Sequence, residues 1–504
     1  MIAGIISEKP AARWAFRFFC ITLSTVIQPK QNKQDRYNER VSSASLQASD
    51  QSSVPPDTAL RRAGWFTLLL LLINLIGDGW SGRPGPLAHQ LLLLPFTAMF
   101  AWGLIQLVRP VPSSTPLRWS PRRALKLAIL LEAGAIALYF YEGHHFAHLG
   151  YQAHPVLALI VFAMSLIVLA VIAFGRNLLP GRVVAGTLVI YTAGLLLAIR
   201  GFPVTYLRSD MLPVILWADQ NLLRHLSPYT TMYVGTRVYD FPYLPGMILA
   251  YLPFTALHLD IRWGSLAYVL GVAVLTYGAA RRERKLEVAT LLALFLLGPF
   301  LQFRHEIYLQ PHWFTLIAAY VLMVRRRYAW AALVFGVSMA IYQFSWILFP
   351  FVLLFALRRR GWLEVCKLGL LGGLGALLVV GPFLRTALHR ITNNTVGQWG
   401  RMARHASAEP INLSYWITYA VPTHQLLRFQ ALAMIAIFLW CFFRGYCSTL
   451  ADTLRWMLVA LTIFVACNVL VDGYFYLMVL VVMMAYVCVA NGWWEERQLV
   501  TTEE

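Results

Sequence analysis

Charge is what this chain has least of. Only 13% of its 504 residues are Asp, Glu, Lys or Arg, against 59% hydrophobic. That balance excludes a soluble domain of this length; with apolar runs recurring almost throughout, it reads as a polytopic membrane protein. Acids are scarcer than bases: 23 Asp and Glu against 42 Lys and Arg leave a formal net charge of +19. The basic residues are dispersed between apolar stretches rather than gathered on one domain, which argues against nucleic acid and fits their accumulation in cytoplasmic loops. The six cysteines (Cys20, Cys366, Cys441, Cys447, Cys467, Cys488) contain no CxxC pair, so neither a disulfide framework nor a thiolate metal site is expected. No GxxxxGKS/T loop is present. The glycine-rich run "GLLGGLGALL" falls inside an apolar stretch, where close helix packing accounts for it, so ATP-driven transport has no support. Most apolar runs also lack the central charges that ion-coupled carriers tend to carry.

What is present is a series of runs, each near the about 17 to 25 residues that cross a bilayer once flanking residues complete the shorter ones. They fall near 62–77, 88–108, 124–142, 153–175, 182–201, 262–280, 286–302, 310–324, 328–343, 345–358, 365–386, 427–444, 454–470 and 473–490. The expected fold is an all-α polytopic membrane protein of about 14 transmembrane helices. Residues 1–60 read as a cytoplasmic tail, partly disordered through "QASDQSSVPPD". Ahead of that stretch, "RWAFRFFCITLSTVI" reads as an interfacial helix or a misassigned start. Residues 61–181 hold four N-terminal spans, 182–490 the core and 491–504 a cytoplasmic tail.

Arginine runs set the expected orientation. "RRERK" at 281–285 and "RRR" at 325–327 and 358–360 mark cytoplasmic turns, as do Arg61-Arg62, "RWSPRR" at 118–123, Arg176 and Arg182. Counted from either side, the run 241–258 must stay on the outer face. Its prolines Pro242, Pro245 and Pro253 make it a poor free-standing span and suit an in-plane or re-entrant helix. Two outer loops result, 202–261 and 387–426, with a short outer stretch at 303–309. Function is expected there.

The first loop carries Arg208, Asp210, Asp219, Gln220, Asn221, Arg224, His225, Tyr229, Asp240 and Tyr243. Leu212, Ile215, Leu216, Leu222, Leu223 and Leu226 recur near helical spacing, predicting an amphipathic helix along the membrane surface with its polar side up. Asp210 stands at its start, as a cap or as a carboxylate free for chemistry; Asp219, well inside it, reads as solvated or Arg-paired. The second loop offers Arg390, Arg401, Arg404, His405, Asn412 and Tyr415. These arginines suit a lipid phosphate, or are ordinary interfacial cations. "FRHEIYLQPHW" adds Arg304, His305, Glu306, Gln310 and His312, a polar cluster that reads as a site by default. A divalent ion on His305, Glu306 and His312 is conceivable but no ligand spacing supports it, so no metal or cofactor is assigned.

"SDMLPVILWADQNLLRHLSPYT" followed by "YDFPYLPGMILAYLPFTAL" resembles the first outer loop of the GT-C glycosyltransferases, closest to the polyprenol-phosphate-mannose-dependent mannosyltransferases. Ser209-Asp210 matches the acidic start, Ser227-Pro228-Tyr229 the end of the helix, and Phe241-Pro242-Tyr243-Leu244-Pro245 the proline element. Leu309-Gln310 stands where the family has Gly-Gln, and Asn412-Leu413-Ser414 matches a late Asn-x-Ser. The likeness covers roughly 182–490. His225-Leu226, Tyr243-Leu244-Pro245 and Leu309 depart from the pattern, which leaves sugar and acceptor open. The resemblance implies a GT-C-like bundle that moves a mannose-like hexose from a polyprenyl-phosphate donor to a glycan or glycolipid acceptor on the outer face of a cell inner membrane. It implies Asp210 as general base and substrate contacts from Arg208, Asp219, Tyr229, Tyr243, His305, Glu306, Gln310, Arg401, Arg404, His405 and Asn412. Two other classes compete: a polysaccharide polymerase or ligase working through outer arginines, and a lipid-linked sugar flippase or transporter with a polar central cavity.

Overall fold

A computed structural model describes residues 155–201, 203–205, 211–234, 237–297, 308–397 and 423–466, with isolated helical positions elsewhere. Among the described residues there are twelve α-helices: α1 (Pro155–Phe174), α2 (Pro180–Gly201), α3 (Met211–Leu223), α4 (Pro245–Ala256), α5 (Arg262–Ala279), α6 (Lys285–Leu297), α7 (Gln310–Val324), α8 (Tyr328–Ile341), α9 (Phe344–Arg360), α10 (Trp362–Thr392), α11 (Thr423–Phe443) and α12 (Leu450–Ala466). Among the described residues three segments are long and apolar enough to cross a membrane: Val156–Phe174, Pro180–Gly201 and Trp362–Arg385. The chain is thus a predominantly helical, membrane-embedded protein.

Local chemistry explains several ends. Pro180 and Pro245 open α2 and α4 at the first position, where a missing amide hydrogen costs nothing. Gly361 has φ 77°, a left-handed conformation that ends α9 and lets α10 start at the next residue. Two features differ from the sequence reading. A small antiparallel hairpin, β1 (Met232–Val234) with β2 (Arg237–Tyr239), stands between α3 and α4 and pairs Met232 with Tyr239. The segment from 387, expected as loop, begins helical, because α10 runs to Thr392 and continues as a π turn through Asn393–Gly397. Arg390 therefore sits exposed in the last turn of α10. The proposed spans before residue 153 and after 470 lie outside the described residues apart from isolated positions.

The most extensive helix contact joins α8 to α10, and glycine makes it possible. A Cβ on Gly336 would come within 2.0 Å of the Gly372 carbonyl oxygen, and one on Gly375 within 2.1 Å of the Leu333 carbonyl oxygen. Small residues at such a crossing let backbones meet, which is how helices associate when burial from water drives nothing. Outward from this pair, α7 packs on α8, α5 on α7, and α2 on α5 and α6, while α12 packs on α9 and α11. The Tyr320 hydroxyl donates to Met457 Sδ (3.2 Å) from α7 to α12, and Gln430 Nε2 to the Phe464 carbonyl (2.8 Å) from α11 to α12.

The two ends of the bundle differ. At one, Arg358 donates to the Phe442 carbonyl, Arg359 Nε to the Ser448 carbonyl at 3.3 Å, and the Arg360 guanidinium lies 5.0 Å over the Tyr328 ring. At the other, Arg262, fully buried at the start of α5, donates Nη1 to the Ala198 carbonyl (3.0 Å) and Nη2 to the Ile199 carbonyl (3.4 Å) in the last turn of α2. Its Nε and Nη2 also reach the Asp260 carboxylate at 2.8 and 2.6 Å. A cation on the last carbonyls of a helix is held by their unpaired lone pairs and by the helix dipole. This clamp puts the end of α2 beside the start of α5, so segment 202–261 leaves and returns at one end of the bundle.

Candidate functional site

The described part of segment 202–261, with α3, the β1–β2 hairpin and α4, forms a layer with buried polar groups at that end. α3 packs on α4, and α4 reaches α5, α7, α8 and α10. Gly246, in the first turn of α4, lies so close to α8 that a Cβ there would come within 2.6 Å of the Ala340 carbonyl oxygen. The layer is therefore keyed into the bundle rather than resting on it.

Two polar side chains one turn apart on α4, Tyr251 and Thr255, organise the contacts. Both are buried, and their spacing puts them on one helix face. The Thr255 hydroxyl donates to Asp219 Oδ2 at 2.7 Å. The Tyr251 hydroxyl lies 3.1 Å from Ser265 Oγ on α5, 3.3 Å from the Tyr308 carbonyl and 3.3 Å from Gln310 Oε1 at the start of α7. Beyond Gln310, His312 Nε2 meets Ser345 Oγ at 2.9 Å, and Ser345 Oγ meets Ser338 Oγ at 2.8 Å. These are three separate groups, Asp219–Thr255, Tyr251 with Ser265 and Gln310, and His312–Ser345–Ser338, which together make a broken thread through the apolar core. Low surrounding polarity makes each of these bonds strong and each missing partner costly.

An aromatic row runs beside the thread. Tyr229 meets Phe241 edge-on at 5.3 Å, Phe241 meets Tyr243 at 5.4 Å, Tyr243 lies 4.6 Å from Tyr308, and Tyr308 lies 6.2 Å from Tyr342. The Tyr229 hydroxyl donates to the Tyr243 carbonyl at 3.2 Å. Thr231 Oγ1 donates to Asp240 Oδ1 at 2.9 Å across the hairpin base. The Pro-Tyr and Phe-Pro-Tyr-Leu-Pro elements are joined in space by these contacts.

Of the residues singled out from sequence, Asp219, Tyr229, Tyr243 and Gln310 lie in or against this layer, all buried. Tyr229, Tyr243 and Gln310 have protein partners inside it. Asp219 departs from expectation: it is 0% exposed and, among the described residues, has no ion-pair partner. Burial pushes its carboxyl well above the usual carboxylate range, and the Thr255 bond offsets only part of that. Among the described residues its Oδ1, together with Trp217 Nε1 and Asn221 Nδ2, has no hydrogen-bond partner. The expected surface helix with its polar side up is corrected accordingly. α3 turns Asp219 and Asn221 inward and leaves Leu223 exposed, because α4 supplies a hydroxyl for the carboxyl to accept from.

Arg208, Asp210, His305, Glu306, Arg401, Arg404, His405 and Asn412 lie outside the described residues. Asp210 is the residue immediately before Met211, the first of α3. Among the described residues no group of three His, Cys, Asp or Glu side chains could hold a metal ion. Sequence reading missed Tyr251, Thr255, Ser265 and Ser345. The one available signal was Tyr251 and Thr255 at a four-residue spacing within an apolar run.

Fold and layer together define the class: an α-helical membrane protein with a hydrogen-bonded polar layer walled in at one end of its bundle. Comparison with known proteins finds no matching family model, no matching curated protein and no matching solved structure.

Proposed function

We propose that the protein is a glycosyltransferase of GT-C type, embedded in a cell inner membrane through about 14 helices, which transfers a mannose-like hexose from a polyprenyl-phosphate donor to an outer-face glycan or glycolipid. The observation that carries this reading is the placement of α3 and α4 as a layer at the end of the bundle opposite the arginine-rich turns. By the positive-inside rule that end faces away from the cytosol. Chain connectivity keeps Asp210 within about 4 Å of the first Cα of α3. In sequence it stands just before a helix start, whose free amides favour a carboxylate.

In this mechanism the Asp210 carboxylate takes the proton of the acceptor hydroxyl as that oxygen bonds to the anomeric carbon. The bond from that carbon to the donor phosphate oxygen breaks in the same step, with inversion, and the electron pair leaves on the lipid phosphate. Arg401, Arg404 and His405 stabilise that leaving anion. α4 floors the pocket, with the prenyl chain entering sideways from the bilayer.

The test is transfer of label from a panel of polyprenyl-phosphate sugars by purified protein. Asp210→Asn and Asp210→Ala are expected to insert normally and to lose about 100-fold or more in transfer, the range for a missing general base. Undiminished transfer by Asp210→Ala overturns the assignment of the base. Its outer-arginine counterpart, a polymerase or ligase, predicts that outcome.

A further inference from the structure

Asp219 is the most expensive side chain in the polar layer. A carboxylate enclosed on all sides normally has a cation or several donors, since removing an isolated charge from water costs several kcal/mol or more. Here one hydroxyl, Thr255 Oγ1 at 2.7 Å, is the donor to Oδ2, and Oδ1 has no partner among the described residues. Tyr251, one turn from Thr255, is a phenol that turns to Ser265 and Gln310, and Tyr268 on α5 is a phenol that donates to the Ala250 carbonyl at 2.8 Å. The nearest base and imidazole on its own segment, Arg224 and His225, are exposed past the end of α3. Among the described residues no lysine, arginine or histidine is paired with it.

From this enclosure we propose that Asp219 is an uncharged carboxylic acid that pins α3 to α4 through Thr255, a positioning residue for the adjoining start of α3. A neutral acid fits such a place where an ion does not. Ionisation at high pH would put a lone charge between α3 and α4 and loosen the pin. The consequence for Asp210 rests on the transferase reading; the protonation of Asp219 does not.

The direction with pH follows from linkage. An acid that holds its proton more tightly folded than unfolded contributes its full stability below the unfolded range, and the contribution is lost as pH rises toward the folded value. The full-length protein in detergent, read by infrared difference spectroscopy against Asp219→Asn at about pH 7, should therefore contain a protonated-carboxyl carbonyl band that the variant lacks. His225→Gln should keep it. The melting midpoint of the wild type should fall between about pH 5 and about pH 9, while that of Asp219→Asn stays flat. Thr255→Val, which removes the one donor to the carboxyl, should carry the acid band to higher pH than the wild type. Should one variant misfold, the other decides.

Carboxylate bands in place of the acid band at neutral pH would overturn the proposal, as would parallel pH dependence in wild type and Asp219→Asn. In transfer assays, wild-type activity should drop severalfold by about pH 9. If no preparation transfers sugar while the acid band is present, the transferase reading fails and the pin stands.

Discussion

At the scale of single residues, Arg262 has the best-defined task. One guanidinium closes the last turn of α2, pairs with Asp260 and starts α5. Replacing it with Met keeps most of the volume but strips donors from two carbonyls and strands a carboxylate that is 24% exposed. Breaking a buried pair costs 3–5 kcal/mol when both partners are enclosed, and partial exposure of Asp260 brings the expectation to about 3 kcal/mol. Denaturation of Arg262→Met in detergent should register that loss. Asp260→Asn, which leaves the carbonyl contacts standing, should lose less. Equal losses would mean that the helix-end contacts contribute nothing.

At the scale of elements, the α8–α10 crossing separates glycines that look alike in sequence. Gly375 meets the Leu333 carbonyl and Gly336 the Gly372 carbonyl, and backbone atoms cannot swing aside, so Gly375→Ala and Gly336→Ala should each cost about 1–3 kcal/mol. Gly373, between Gly372 and Gly375 in the same run, has nothing within 4 Å of its would-be Cβ. Gly373→Ala should be neutral or stabilise by up to about 1 kcal/mol through helix propensity. Thermal midpoints of the three variants check the ordering, and a drop at Gly373→Ala as large as at Gly375→Ala would contradict this register. That the run served packing was legible from its apolar setting. Which of its glycines touch was not, since that depends on a helix some forty residues away in the chain. Hydropathy also placed α7 at 310–324 to the residue. It failed for α3, because a hydropathy pattern distinguishes lipid from water and has no term for a polar residue facing a hydroxyl 36 positions later. The β1–β2 hairpin escaped for a related reason: three-residue strands carry too little alternation to stand out.

At the scale of the whole molecule, the clamp between α2 and α5 and the arginine contacts between α9 and the α11–α12 turn give the bundle two unlike faces. Thiol labelling can orient them. In intact cells, with the native cysteines replaced, an impermeant reagent should modify Thr230→Cys and spare Glu283→Cys, both exposed positions. Permeabilisation should make the second reactive. The reverse pattern would invert the molecule and remove the ground for placing Asp210 in an outer pocket. The helical class and its arginine-marked turns could be read from composition and charge, because both are set residue by residue. The polar layer could not, because Asp219, Tyr251, Ser265 and Gln310 converge only after four elements have packed.

The glycine crossing also bears on how the chain is made. α8 finds its tightest neighbour not in α9, which follows it, but in α10, which leaves the ribosome later. A nascent chain halted at Arg360 would present Gly336 with no carbonyl to nestle against. During synthesis this crossing can therefore close only after α10 has emerged.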